Sequence, residues 1–151
     1  MQRFKKAVCV FLFFLMPILV AACQQEQQAH DDHAGHEMQN APLKLSLNDG
    51  QKWQMDEHTR NSINTLHSIF ELSEPVAVED FNAIGKETDA EVNNLIAGCT
   101  MEGGAHEQLH LFLGAFIPKV KGLKVAENTE KAEKLYLEID QMLLYYDKYF
   151  E

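Results

Sequence analysis

The spacing of apolar residues in the last part of the chain constrains its fold more than any other feature. From residue 129 onward, apolar side chains recur at intervals of three and four, which places them on one face of an α-helix. These residues are Ala132, Leu135, Tyr136, Ile139, Met142, Leu143, Tyr146 and Phe150. Either Asn128 or Thr129 can cap the start of this helix. The pattern predicts an amphipathic helix whose apolar face must be covered by other parts of the chain.

Three earlier segments have the same helical spacing, and we predict helices over about 56–72, 78–98 and 105–123. Asp56 can cap the first, Ser-Glu-Pro at 73–75 ends it, and Pro118, which lacks a backbone N–H, is expected to kink or divide the third. Their apolar stripes are Ile63, Leu66 and Phe70, then Phe81, Ile84, Val92, Leu95 and Cys99, then Leu109, Phe112, Leu113, Phe116, Ile117 and Val120. Four such helices with short connections predict an all-α fold, an antiparallel up-down-up-down four-helix bundle over residues 43–151.

The residues before the first helix form a separate short segment. Residues 43–47 alternate between leucine and polar residues, and Asn-Asp-Gly at 48–50 signals a turn, so we predict an extended arm packed on the bundle. Trp53 and Met55 follow, and we interpret them as a hydrophobic cap that closes one end of the bundle. The alternative is an aromatic platform for a soft metal.

The N-terminus has the order of an export signal. Arg3, Lys5 and Lys6 precede an apolar run over 7–20, which is marginal for a membrane span. The run continues into Leu-Val-Ala-Ala-Cys ending at Cys23, which resembles the lipobox of bacterial lipoproteins. The resemblance implies a signal peptide over 1–22, cleavage before Cys23 and acyl chains such as palmitate on that cysteine. An ordinary signal with a coincidental cysteine is the alternative.

The residue after the lipobox bears on location. Position 24 is glutamine and not aspartate, which in Gram-negative lipoproteins implies sorting to the outer membrane, facing the periplasm. The polar, aperiodic residues that follow Cys23 are too poor in apolar side chains to fold by themselves. We therefore predict a lipid anchor and disordered tether over 23–42, with the membrane reached through Cys23.

The tether contains a histidine-rich tract, His30-Asp-Asp-His33-Ala-Gly-His36-Glu. Imidazole and carboxylate groups suit Zn²⁺, Cu²⁺ or Ni²⁺, and short histidine-rich tracts are a compositional signal of metal binding. We expect His30, His33 and His36 to capture metal with modest affinity, because a flexible chain must be ordered to bind. The alternative is a solvated leader that happens to contain histidine.

The charge balance limits the class of partner. The chain has 13 basic and 23 acidic residues, and loss of Arg3, Lys5 and Lys6 with the signal leaves 10 basic residues and a net charge of −13. Such a surface repels nucleic acid, so we exclude a nucleic-acid role. It favours cations and basic partner surfaces, or it serves solubility alone.

Export is expected to leave the mature chain with one free thiol. Cys9 leaves with the signal and Cys23 carries the lipid, so Cys99 is the only thiol left and the mature chain has no internal disulfide. A lone thiol in an oxidising compartment needs burial, a metal or an intermolecular partner.

Cys99 is followed by two histidines in the pattern C-x6-H-x3-H. His106 and His110 share a helix face, and a turn can bring Cys99 onto them. Thiolate and imidazole suit Zn²⁺ or copper, and the thioether of Met101 would favour Cu(I). In the alternative, Cys99 is a small buried hydrophobe, His110 lies at the core edge and His106 faces solvent.

Several site motifs do not occur in the sequence. Haem binding is not expected, because Cys-x-x-Cys-His is missing and the fourth helix has no histidine. Neither a nucleophile elbow, a phosphate-binding glycine loop, a zinc-protease motif nor paired Glu-x-x-His motifs are present. We therefore expect a protein that is not an enzyme.

From residue 47 onward the chain resembles a family of small Gram-negative periplasmic helical proteins that often accompany heavy-metal and copper efflux systems. The matching phrases are Leu-Asn-Asp-Gly-Gln-Lys-Trp at 47–53, Ile-Ala-Gly-Cys-Thr-Met at 96–101, Gln-Leu-His at 108–110 and Tyr-Asp-Lys-Tyr-Phe at 146–150. By resemblance, Trp53, Cys99 and His110 are the family-like positions, which leaves Cys99 and His110 as the core of the site. His106 and the glycine pair at 103–104 depart from the pattern.

These features together predict a metal-binding outer-membrane lipoprotein. It would hold copper or zinc in envelope metal homeostasis and heavy-metal resistance. The alternative is an acidic helical interaction module, free of metal, that docks an efflux or envelope protein. A sensor that uses Cys99 as a reactive thiol is a third interpretation.

Overall fold

The computed structural model describes residues 43–151, and it confirms the all-α prediction with four helices and no β-strand in that range. The helices are α1 (Glu57–Glu71), α2 (Val78–Gly98), α3 (Gly103–Lys124) and α4 (Thr129–Tyr146). Among the described residues, no helix combines the length and apolarity needed to cross a membrane. The predicted signal peptide, lipidation of Cys23 and tract of His30, His33 and His36 lie outside the described residues.

The predicted helix starts follow from local capping. Asp56 is the N-cap of α1, where its carboxylate accepts a hydrogen bond from the Thr59 amide at 2.7 Å. Asn128, and not Thr129, caps α4 by accepting from the Lys131 amide at 2.9 Å. These side chains satisfy amides that the first turn of a helix leaves without a partner.

Helix α3 runs unbroken through Pro118 and is not divided there. Proline removes the hydrogen bond to the carbonyl four residues earlier, which belongs to Gly114. Both Gly114 and Pro118 are exposed, so water can bond to that carbonyl.

Contacts between neighbouring helices join the first part of one helix to the last part of the other. These pairs are His58–Asn94, Gly85–Lys124, Phe112–Tyr146 and Phe70–Tyr136. Such pairing is that of antiparallel neighbours, and it brings the end of α2 and the start of α3 to the same end of the bundle.

The core is built from the predicted apolar stripes. Its largest fully buried apolar side chains are Phe112, Phe116, Leu66, Leu95, Leu109, Leu123, Ile139, Leu143 and Val120. Cys99 and Ile117 are only partly buried, and they lie at the margin of this core. Burial of apolar area on this scale is the main source of stability for a domain of this size.

The segments before α1 and after α4 close one end of the bundle. The Trp53 amide donates to the Tyr149 carbonyl at 2.7 Å, and the Glu151 amide donates back to the Trp53 carbonyl at 2.9 Å. Met55 is buried, and its amide donates to the Glu151 carbonyl. Trp53 and Met55 thus form the predicted hydrophobic cap.

Candidate metal centre

Cys99 lies in a four-residue connection between α2 and α3. It is the C-cap of α2, with extended backbone that stops the helix after Gly98, and α3 begins four residues later at Gly103. The short connection places the thiol beside the first turns of α3. The side chain is half-buried at the margin of the core.

Asp56 fixes this connection from the side of α1. One carboxylate oxygen caps α1, and the other accepts from the Thr100 amide at 2.8 Å and from the Thr100 hydroxyl at 2.9 Å. Burial opposes ionisation of Asp56, but the hydrogen bonds from Thr100 and Thr59 outweigh it and hold the pKa of this carboxyl well below its ordinary value. The residue after Cys99 is therefore tied to the start of α1.

His58 secures the other side of Cys99. Its Nε2 atom lies 2.9 Å from the Asn94 carbonyl oxygen, and its ring packs on Gly98, where any Cβ would overlap it. The His58 side chain is half-buried between α1 and α2. Residues at the start of α1 therefore contact both neighbours of Cys99 in the chain, Gly98 and Thr100.

The structure brings Cys99 and His106 together. The Cys99 Sγ atom lies 3.7 Å from His106 Nδ1. The rings of His106 and His110 are adjacent, with centroids 4.3 Å apart, and His106 is half-buried whereas His110 is exposed. The thiol's contact is therefore with His106, while the resemblance pointed to His110.

Within residues 43–151, no three histidine, cysteine, aspartate or glutamate side chains are arranged to hold an ion together. Cys99 and His106 form a pair of donors in contact, and the His110 ring lies beside that of His106. In a tetrahedral site with about 2.3 Å to sulfur and about 2.0 Å to nitrogen, these two ligand atoms lie about 3.5 Å apart. The observed 3.7 Å is close to that separation.

Met101 lies elsewhere in the same connection. Its Sδ atom accepts a hydrogen bond from the Asp56 amide at 3.3 Å. The side chain packs against the core and does not line the groove beside Cys99. In this arrangement the thioether serves the start of α1 and is not directed to a metal at Cys99.

A groove of about 280 Å³ between α2 and α3 begins at the donor set. Cys99, His106 and His110 line it near the α2–α3 connection. Its remaining lining residues are Leu95, Ile96, Leu109, Leu113, Gly114 and Ile117. The groove is therefore apolar along most of its length and carries soft or borderline donors at one end.

The sequence missed two residues of this site. Asp56 was predicted as a helix cap only, because its second role joins it to Thr100, 44 residues away. Gly114 was predicted only as part of the third helix, and it lines the groove because of how α2 and α3 pack.

No family model matches the chain, and neither a curated protein nor a solved structure gives a significant match. The resemblance to periplasmic proteins of metal efflux systems therefore stays a prediction.

Proposed function

We propose that this domain binds copper(I) or zinc through the Cys99 thiolate and the His106 imidazole, in an outer-membrane lipoprotein of envelope metal homeostasis. The distance of 3.7 Å between Sγ and Nδ1 carries the proposal. Thiolate and imidazole together suit these two ions, and the separation fits two ligands of one metal.

His110 is the third ligand in this proposal. It is exposed, so its side chain can rotate without disturbing the core, and its ring already stands beside that of His106. An ion at Cys99 would be partly shielded from water, because the side chain is half-buried at the margin of the core.

The tract of His30, His33 and His36 captures metal for the bundle site in the same proposal. The acidic surface of the mature chain raises the local concentration of cations near both sites. Cys23 keeps the domain at the membrane through its lipid, so the captured ion stays near the envelope.

The test uses a full-length reference chain in which Cys99 is the only thiol and the tract is neutral. It carries Cys9→Ser, Cys23→Ser, His30→Ala, His33→Ala and His36→Ala. We expect one Co²⁺ or Cu(I) per chain, with a thiolate-to-cobalt charge-transfer band. Loss of a direct ligand in Cys99→Ser or His106→Ala should weaken binding by about a hundredfold or more, since loss of an outer-shell partner alone costs 10- to 100-fold.

His67→Ala is the matched control for this test. His67 lies between α1 and α4 beside Asp147, away from the groove, so its loss should leave affinity unchanged. Equal affinity in the reference chain and in the Cys99→Ser, His106→Ala double variant would contradict the proposal.

A different observation favours the second candidate function, a module that docks a partner without metal. At the end of the bundle remote from Cys99, three large apolar side chains are exposed: Leu72 at 84%, Val76 at 82% and Val125 at 66%. We name these three residues the apolar tip. Exposed apolar groups among acidic residues such as Glu71 and Glu127 suit a partner with a basic rim.

A further inference from the structure

Gly114 has no structural reason to be glycine. A Cβ built on it would meet nothing within 4 Å, and its backbone does not have positive φ. Every other described glycine has one reason or the other, namely a close neighbour at Gly85, Gly98, Gly104 and Gly122 or positive φ at Gly50 and Gly103. Gly114 instead leaves open space on the α3 wall of the groove. Glycine at such a position permits close approach of a ligand or of another backbone.

Cys99, His106 and His110 offer three donors, and a tetrahedral site has a fourth position open. Cys99 and His106 are the two donors in contact, and copper(I) also prefers soft thioether ligands. The chain's own thioether in this region, that of Met101, accepts a hydrogen bond from the Asp56 amide and does not line the groove. No methionine of residues 43–151 lines the groove, so a thioether at that position would come from outside the bundle.

We propose that the groove binds a methionine side chain of a partner segment, whose thioether completes the coordination of copper(I) at Cys99 and His106. This inference rests on the proposed function and names the partner of that site. The segment is the part of a copper donor or acceptor that exchanges the ion with this protein.

Three properties of the groove select methionine. Its apolar walls disfavour a carboxylate or ammonium, because either would lose its hydration there. A cysteine thiolate would add a second negative charge beside that of Cys99. The volume of the groove, about 280 Å³, lies just below the range of about 300–1,000 Å³ for pockets that bind drug-sized ligands. A long, unbranched side chain such as that of methionine suits a groove of this size.

Charges near the donor set favour basic residues on the partner segment. Glu102 and Glu107 are exposed at the start of α3, next to His106. The test peptide is therefore acetyl-Lys-Leu-Met-Leu-Lys-amide. Its control has norleucine in place of methionine, which keeps the shape and removes the sulfur.

The experiment measures the Cu(I) affinity of the reference chain anaerobically, by competition with bicinchoninate, with and without each peptide. We expect the methionine peptide to tighten Cu(I) binding by about tenfold, the norleucine peptide to have no effect, and neither to change Zn²⁺ binding. The methyl carbon resonance of ¹³C-labelled methionine in the peptide should shift only when protein and Cu(I) are both present.

Gly114→Leu narrows the groove one helical turn after His110, and a Cβ at this position meets nothing within 4 Å. Its Cu(I) affinity is measured alone and with the methionine peptide, and the ratio of the two affinities should fall to about one. Gln141→Leu, which adds a leucine to the exposed face of α4, should keep the gain from the methionine peptide.

The outcomes separate the two proposals. If the reference chain binds Cu(I) but neither peptide changes its affinity, or both change it equally, the methionine proposal is overturned and the proposed function stands. The same holds if Gly114→Leu keeps the full gain. If the chain takes up neither Cu(I) nor Zn²⁺, both proposals fall, whereas uptake of Zn²⁺ without Cu(I) overturns only the methionine proposal.

Discussion

At the scale of single residues, Asp56 joins two parts of the chain that lie far apart in sequence. Its carboxylate caps α1 with one oxygen and binds Thr100 with the other, so one side chain joins a helix start to the connection that carries Cys99. A sequence pattern reports the first role, because capping is local. The second role depends on how α1 and α2 pack, which spacing along the chain does not encode.

Asp56→Asn should separate these roles. Asparagine is a good N-cap, but its amide nitrogen has no lone pair to accept the Thr100 amide and hydroxyl. We expect unfolding in urea to become easier by about 1–2 kcal/mol, with weaker metal binding in the reference chain.

Asp80→Asn is the control for that variant. Asp80 also accepts from two backbone amides, those of Val76 and Ala77, but at the start of α2 away from the groove. It should lower stability and leave metal affinity unchanged. A loss of affinity of similar size in both variants would show that the effect is one of general stability.

The same carboxylate predicts how stability depends on acid. Hydrogen bonds from Thr100 and Thr59 lower the folded-state pKa of Asp56, against the opposing effect of burial, while the unfolded value is about 3.9. The unfolded chain therefore binds the proton more readily, so the contribution of Asp56 is complete above the unfolded pKa and is lost as pH falls towards the folded one. Urea unfolding between about pH 6 and pH 2 should show a shallower acid loss in Asp56→Asn than in the parent.

At the scale of helices and connections, the sequence predicted most of the structure. The bounds of α1, α2 and α3 and the start of α4 agree with the prediction to within about two residues, because capping residues and breakers act locally. The predicted apolar face of the fourth helix runs on to Phe150, four residues beyond the end of α4 at Tyr146. The sequence left open whether Pro118 would kink the third helix or divide it, and α3 is not divided. Whether a proline divides a helix depends on the surroundings of the carbonyl it deprives, and here that carbonyl belongs to an exposed glycine.

The candidate site was predicted less completely than the helices. The i, i+4 spacing placed His106 and His110 together, and their rings are indeed adjacent. Which of them reaches the Cys99 thiol depends on the path of the α2–α3 connection and on the rotation of α3. Neither can be read from the spacing of residues. The sequence therefore could not predict the contact between Cys99 and His106 or the position of the Met101 thioether.

Two glycines in helices should respond oppositely to the same substitution. Gly114→Ala adds a methyl group in open space and removes the entropic cost of glycine, so we expect a gain of about 0.5–1 kcal/mol in unfolding free energy. Gly85→Ala would place Cβ 2.6 Å from the backbone nitrogen of Lys124, which must move. We expect a loss of about 1–3 kcal/mol in that variant.

The test is urea unfolding of Gly114→Ala, Gly85→Ala and the unsubstituted protein, measured side by side. A loss of stability in Gly114→Ala would mean that α3 packs more tightly at this position than the structure shows. No loss in Gly85→Ala would mean that α2 and α3 do not approach each other closely at Lys124.

At the scale of the whole molecule, the two ends of the bundle differ in chemistry. One end carries the thiol, the imidazoles and the groove, and the other carries the apolar tip. If the second candidate function holds, an envelope partner should be retained by the parent at low salt and released at high salt, because charge pairs at a rim are screened.

Leu72→Ser with Val125→Ser should abolish that association, whereas Cys99→Ser should leave it intact. The measurement is capture from envelope extracts at about 0.05 M and about 0.5 M salt, with the partner then identified and retested in pure form. Association that survives in the serine variant, or that is insensitive to salt, would count against the apolar tip as the docking surface.

The pairing of residues 53–55 with residues 149–151 also has a consequence for folding kinetics. The Gln54 and Glu151 side chains are hydrogen-bonded although 97 residues separate them, so this seam contributes some of the longest loop closures among the described residues. Helices form from local contacts within microseconds, whereas contacts of high contact order form later because a long loop must first be closed. We therefore expect the seam to close late in folding, after the helices have formed.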